Sequence, residues 1–283
     1  MDTKQIKLKS GITIYTRIAG DPSRPPVVLL HGWPSSSLLW RNIIPDLSHD
    51  FHVLAPDLPG HGQSDKPLDV DYNLAFLRRF ILDFTDATGL DKITLVAHDL
   101  GGMAGLSFAA RHPERLDTFV IMNTCPYADV SLRFRLSIFA LSRPLLSRFF
   151  LHPFAFKQVL KTGIHQHHLI TPDLLASFRS HWMMDKDSIR SFAHTIAVPV
   201  SRMVEPVETL REIKCPTLIL WGKKDRFFPF RLARRLHQDL DNSQLLGIEN
   251  TAHFCQEEAP GFVTRAIASF LNEKTKEQHP DAA

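Results

Sequence analysis

Cysteine is scarce in this sequence: three in 283 residues, Cys125, Cys215 and Cys255, odd in number, widely spaced and without a Cys-x-x-Cys pair. That usage excludes a disulfide framework and a zinc site, and the thiols of a reduced, cytoplasmic protein fit best. No stretch approaches the roughly 18 consecutive apolar residues of a membrane span. Met1 to Gly20 holds four Lys or Arg but no continuous apolar segment or cleavage site, so no export signal is read there. Neither charge dominates: 33 Lys or Arg stand against 30 Asp or Glu, a formal +3, with both signs interspersed, as in Lys223-Lys224-Asp225-Arg226. Without a basic stripe for a phosphate backbone, nucleic acid is not an expected partner. His165, His167 and His168 have no carboxylate or Cys partner in ligand spacing, so they read as a solvated stretch. No metal and no other cofactor is expected. Internal repeats and low-complexity tracts are also missing.

Apolar residues are plentiful, at 44% of the chain, enough for a sizeable core in one large domain or two small ones. Short apolar runs at Val27 to Leu30, Phe51 to Ala55, Ile93 to Ala97, Phe119 to Met122 and Leu218 to Trp221 alternate with longer amphipathic stretches. Near-continuous apolar runs are what strands covered on both sides require, so the rhythm predicts an α/β fold: a mostly parallel, doubly wound sheet. Gln5 to Leu8 and Ile12 to Arg17 read as an opening hairpin. Leu74, Leu77, Phe80, Ile81 and Phe84 recur at helical spacing, and Gly89 suits the stop of that helix. From Pro126 to about Pro206 the alternation fails, and Phe134, Ile138, Phe149, Phe150, Phe154 and Phe156 suggest helices without a strand between them. These rings serve either as that insertion's own core or as the wall of an apolar cavity. The expected organisation is a core in two parts, 1–125 and 207–273, a helical insertion at 126–206, and a polar, frayed tail at 274–283.

The chemistry concentrates at strand ends. Ile93 to Ala97 runs through His98-Asp99-Leu100-Gly101-Gly102 into a helix, with small residues around one acidic side chain. A sharp strand-to-helix turn that presents a nucleophile needs such small neighbours. Asp99 is also a good N-cap for the helix that follows, and the hexamer alone leaves both readings open. His31-Gly32-Trp33-Pro34 directly follows another strand; its loop can aim a backbone N–H at an oxyanion, with the N–H of Leu100 as second donor. Asp225 follows the strand ending at Trp221-Gly222, and His253 follows the one ending near Ile248. Taken singly, these are a surface turn acid and a satisfied loop histidine. Together with Asp99 they stand in the chain order nucleophile, acid, histidine.

On these residues the chain resembles an α/β-hydrolase of the aspartate-nucleophile branch, which holds the haloalkane dehalogenases and epoxide hydrolases. The likeness spans Leu8 to Leu271 and is marked in Ser35 to Pro45 and in Leu58-Pro59-Gly60-His61-Gly62-Gln63-Ser64-Asp65-Lys66-Pro67. It implies an α/β-hydrolase fold with the insertion as a helical cap over the active site. It also implies an alkyl-ester intermediate on Asp99, with His253 as general base for its hydrolysis and Asp225 fixing the imidazole tautomer. A carboxylate is ionised at neutral pH and attacks an sp3 carbon without a base, whereas acyl transfer to it would give a reactive anhydride. Esterase chemistry is therefore disfavoured.

The family pattern is followed only in part. In some dehalogenases the acid sits after the strand preceding the cap, where this chain offers the amide Asn123; Asp225 is the better candidate, and Asp129 lies several residues too late. Ser107 imitates a serine elbow but falls inside the helix after Asp99. Dehalogenases hold the halide with side-chain N–H donors, often a Trp or Arg after the nucleophile, where this chain has Leu100. Trp33 and Trp182 are left as candidate donors. Epoxide hydrolases protonate the alkoxide mostly with cap tyrosines, but only Tyr15, Tyr72 and Tyr127 exist. Tyr127 at the edge of the insertion, or His181 or the His165, His167, His168 group as imidazolium, would have to serve. The motifs favour dehalogenation, with epoxide hydrolysis and a non-hydrolytic ligand-binding homologue as alternatives. The expected partners are a small apolar substrate and water.

Overall fold

The computed structural model of the protein describes residues 1–278, without the side chains at 133, 144, 145 and 275–278. One eight-stranded sheet organises it, in the order β1-β2-β4-β3-β5-β6-β7-β8. The strands are β1 (Asp2–Lys7), β2 (Thr13–Ala19), β3 (Pro26–Leu30), β4 (His52–Pro56), β5 (Ile93–His98), β6 (Leu116–Met122), β7 (Thr217–Gly222) and β8 (Ser243–Ile248). The expected hairpin is β1 paired antiparallel with β2 in the register Ile6 opposite Ile14, and β2 also runs antiparallel to β4. From β4 to β8 every pairing is parallel.

Successive side chains of a strand point to opposite faces, and this splits the apolar runs between two cores. Val28 and Leu30 of β3 pack with Leu95, Ala97, Phe84 and Phe108 on one face. Val27 and Leu29 pack with Val96, Val120, Leu218 and Ile267 on the other. Helices Leu74–Ala87 and Asp99–Arg111 contribute to the first core, and helix Pro260–Gln278 to the second. Asn73 caps the first of these by accepting from the Phe76 N–H at 3.0 Å, and Gly89 follows its end at φ +71°. The last helix continues to Gln278, so residues 274–278 of the expected frayed tail are helical; the rest of that tail, 279–283, lies outside the described residues.

Between β6 and β7 the described residues form helices and no strand: Leu132–Leu141, Pro144–Phe150, Pro153–Gly163, Pro172–Arg179, Lys186–His194 and the single turn Val207–Leu210, with short 3-10 turns. Their starts are written in the sequence. Pro144, Pro153 and Pro172 occupy first-turn positions, where a missing N–H costs nothing, and Ser131, Thr171 and Asp185 accept from backbone N–H groups three residues on. The insertion is tied to the sheet's loops by Trp182 Nε1, which donates to Pro34 O at 2.8 Å, and by Ser191 Oγ, which donates to Gly60 O at 2.8 Å. Among the described residues no helix is long and apolar enough to cross a membrane.

Candidate active site

The loops after β3, β5, β6, β7 and β8 converge at the carboxyl ends of the parallel strands, the edge where open α/β sheets bind ligands. Asp99 stands at the β5-to-helix turn with φ +53°, a left-handed conformation uncommon outside glycine. Neighbours hold it there: the Asp99 N–H donates to Asn123 O at 3.2 Å, and Thr124 Oγ1 donates to Asp99 O at 2.6 Å. The N-cap alternative is resolved by the side chain, which faces across to the β3 loop. Its Oδ1 accepts from the Trp33 backbone N–H at 2.7 Å. Glycine is required at position 32, where a Cβ would lie 2.2 Å from the Asp99 Cβ. At Gly101 a Cβ would meet the His31 carbonyl oxygen at 2.4 Å, which explains the small residue after Leu100.

His253 Nε2 lies 3.5 Å from Asp99 Oδ2, and its Nδ1 lies 3.0 Å from Asp225 Oδ2. Asp225 is buried, not a surface turn acid, and every oxygen is engaged. Its Oδ1 accepts from the Phe227 and Phe228 N–H groups at 2.8 and 3.0 Å, while Oδ2 also accepts from Asn123 Nδ2 at 2.7 Å. The Phe227, Phe228 and Phe254 rings surround the imidazole edge-on. The loop that carries His253 is anchored from the insertion: the N–H groups of His253 and Phe254 both donate to Gly163 O, at 2.9 and 3.1 Å. Glu258 completes the joint, accepting from the N–H groups of His165, Gln166 and Ala252 at 2.7, 2.8 and 2.6 Å.

The charges are coupled. Burial disfavours the His253 imidazolium, but the charge and hydrogen bond of Asp225, followed by those of Asp99, raise its pKa from 6.5 to about 9. Burial likewise pushes the Asp99 carboxyl up; the His253 hydrogen bond and charge, the His98 ring and the Leu100 N–H outweigh it and leave the pKa below its usual value. The arrangement thus favours an imidazolium beside the Asp99 carboxylate. His98, packed on His253 at 4.6 Å between ring centroids, is pushed down to about 3, first by burial and then by the His253 charge. It stays neutral and donates from Nε2 to His253 O at 3.0 Å.

Beside Asp99 and His253 opens a cavity of about 300 Å³, walled by Leu100, Met103, Phe134, Ile138 and Leu141 among other apolar groups, with Arg226 at an exposed position. Core and insertion both line it. Trp33 does too, and its indole Nε1 is buried without a hydrogen-bond partner among the described residues. The other leaving-group candidates fall elsewhere. The Trp182 N–H is used on Pro34 O, so it serves to hold the insertion and not to bind a leaving group. Tyr127 does not reach the cavity: its hydroxyl donates to Asp239 Oδ2 at 2.6 Å, under the Arg235 guanidinium 3.7 Å from the ring centroid. His181 packs on Trp182 outside the cavity, and burial, followed by the charges of His31 and Lys66, lowers its pKa to about 3, so it is no imidazolium acid at neutral pH. His167 Nε2 donates to Lys161 O, and His165 and His168 are exposed and away from the cavity. Ser107 Oγ donates to Glu205 Oε1 at 2.6 Å within the helix after Asp99 and takes no part in the site.

Asn123 is the residue that sequence reasoning undervalued. Dismissed as an amide unable to act as the acid, it instead orients one, with Nδ2 on Asp225 and Oδ1 accepting from the Gly222 N–H at 3.2 Å. Its place at the end of β6, opposite the strand that delivers Asp225, was the available signal. Glu258 was missed altogether, for nothing local marks a Glu in a short helix as a joint between two loops.

Comparison with known proteins agrees with the fold: residues 25–260 match the alpha/beta hydrolase fold family. The chain belongs to that family. An uncharacterized hydrolase of Bacillus subtilis, YugF, is 28% identical over 264 residues, 92% of this chain and 95% of that protein. Epoxide hydrolase 4 of Mus musculus is also 28% identical, over 94% of this chain and 78% of the relative. Among solved structures, an ancestral haloalkane dehalogenase superposes with a TM-score of 0.79 at 26% identity, covering 96% of this α/β hydrolase and 99% of the other chain.

Proposed function

We propose that this α/β hydrolase attacks an electrophilic sp3 carbon of a small apolar substrate through an ester on Asp99, as a haloalkane dehalogenase does. The observation that carries the reading is the division of labour between the two Asp99 oxygens. Oδ1, held by the Trp33 N–H, is the oxygen on which negative charge would collect in a tetrahedral intermediate. Oδ2, on the His253 side, attacks the carbon, and the carbon–halogen bond breaks with its electron pair leaving on the halide. Water then adds to the Asp99 carbonyl carbon, His253 takes its proton, and collapse releases the alcohol and restores the carboxylate. Esterification itself prepares the base beforehand: it removes a negative charge that holds the imidazole protonated, and the imidazolium gives its proton to solvent as the halide departs.

A halide leaves without a proton, which matches a cavity lined by Trp33 and by no tyrosine. The helices of 126–206 act as a cap that desolvates the reacting carbon. Free thiols at Cys125, Cys215 and Cys255 fit a reducing compartment such as the cytoplasm. A second reading, epoxide hydrolysis, draws on the relative of that name and on His253, whose raised pKa gives Asp99 a neighbouring N–H acid for an alkoxide. Matched panels of bromoalkanes and terminal epoxides, followed by halide release and diol formation, separate the two. Halide release that is lost in Asp99→Asn supports the first reading; diol formation alone transfers the assignment to the second.

A further inference from the structure

From Val130 to Pro172 the chain carries six Lys or Arg and no Asp or Glu, although charges of both signs are mixed elsewhere. Removing those six from the chain's 33 basic and 30 acidic residues leaves 27 against 30, so the segment holds the whole positive excess. Of the eleven exposed large apolar side chains among the described residues, six lie in the same segment, at Leu132, Leu136, Phe139, Leu146, Phe149 and Phe154. Phe149 and Phe154 are 64% and 70% exposed.

Helix Leu132–Leu141 makes the arrangement explicit. Phe134, Ser137, Ile138 and Leu141 line the active-site cavity, while Leu132, Leu136 and Phe139 form an apolar stripe turned to the outside. A helix apolar on both sides is normally covered on both. Helices Pro144–Phe150 and Pro153–Gly163 pack in series after it and add their own exposed rings. The basic residues intersperse with them: Arg135, Arg143, Arg148 and Lys157 are exposed, and none forms an ion pair with a described residue. The Arg143 guanidinium lies 4.2 Å from the centroid of the Phe139 ring.

We propose that the outer face of these three helices docks on the surface of an anionic lipid bilayer. Charge decides the occupant. Two copies of this face brought together would oppose four exposed cations to four, which disfavours a symmetric dimer. An anionic bilayer supplies what both features need: headgroups for the Arg and Lys tips and an acyl boundary for the Phe and Leu side chains. The inner side of the first helix walls the cavity, so docking seats the site against the phase in which an apolar substrate concentrates.

The test is flotation of the full chain with phosphatidylcholine vesicles and with vesicles in which phosphatidylglycerol replaces part of the phosphatidylcholine. Association with the second set, weak association with the first and a decline with added salt are expected. Arg148→Gln with Lys157→Gln should lower partitioning about fivefold per charge removed. Phe149→Ser with Phe154→Ser should lower it as well, and both pairs should turn over a water-soluble substrate as the parent does, since these residues lie outside the cavity. Absence of binding, equal binding to both vesicle types, or binding that survives both pairs in protein shown to be folded by circular dichroism overturns the proposal. A dimer abolished by the Phe pair, without vesicle binding, assigns the face to a second copy instead. Vesicle binding and oligomeric state, which decide the proposal, do not depend on the reaction at Asp99.

Discussion

Nε2 of His253 stands 3.5 Å from Oδ2 of Asp99, while the other Asp99 oxygen is taken by the Trp33 N–H at 2.7 Å. One carboxylate is thereby presented with its two oxygens in different environments, one fixed and one facing the base. The consequences below follow from that asymmetry and from the groups that hold it.

Replacing Asp99 by Asn removes both the nucleophile and the nearer negative charge on the imidazole. Turnover should fall by about four orders of magnitude or more. The His253 pKa, raised to about 9 in the parent, should move down, because the Asp99 hydrogen bond and charge are among its causes. Imidazole NMR titration of the folded variant reads this directly. An unchanged pKa would mean that Asp225 alone sets it.

Stability should carry the mark of the same histidine. Its folded pKa lies above the ordinary 6.5, so its contribution is complete below pH 6.5 and is lost as pH rises towards about 9. Thermal melts should show the parent losing Tm across that window and His253→Gln losing less. Parallel profiles would detach the loss from His253. Asp99 acts in the opposite sense: its lowered pKa contributes stability present above the usual 3.8, lost as pH falls through the folded value.

Asn123→Ala should cost stability and activity together. It leaves Asp225 Oδ2 one donor short and strips the Gly222 N–H of its acceptor, in a fully buried place, for about 1–3 kcal/mol. A catalytic histidine whose orienting acid is loosened should lose about tenfold to a hundredfold in kcat. Urea melts and steady-state kinetics on the one variant suffice. Parent-like kcat in a destabilised protein would reduce Asn123 to a packing residue.

Trp33 and Trp182 should separate cleanly. Trp33→Phe removes the unpartnered indole N–H beside the cavity and should lower the rate of the first, ester-forming step. Trp182→Phe removes the hydrogen bond to Pro34 O and should lower Tm with little effect on that step. Single-turnover kinetics and melts on both variants check it, and the reverse pattern would exchange their roles.

The framework was legible because its signals are local. Apolar runs such as Val27 to Leu30 can only be strands covered on both sides, and Asp99, Asp225 and His253 each follow a strand at the same end of the sheet, the last of them the half-exposed edge strand β8. The insertion was visible only as a failure of the rhythm. What decides Tyr127, His181 and Trp182 is which way each side chain turns after a helix or loop, and that depends on partners such as Asp239 and Pro34, remote in sequence. The indole of Trp182 and the hydroxyl of Tyr127 carry donors suited to a leaving group, yet both are spent on structure. The charge asymmetry of 130–172 lay in plain view but disappears in whole-chain averages.

The central claim is an ester on Asp99, and the intact mass of His253→Gln after incubation with matched bromoalkanes and epoxides tests it most directly. Loss of the water-activating base should trap the intermediate. The bromoalkane should add its alkyl group, located on Asp99 by peptide mapping. A whole-epoxide adduct would retain the ester and move the substrate to the second reading; folded protein with no adduct from any member of either panel would contradict the claim.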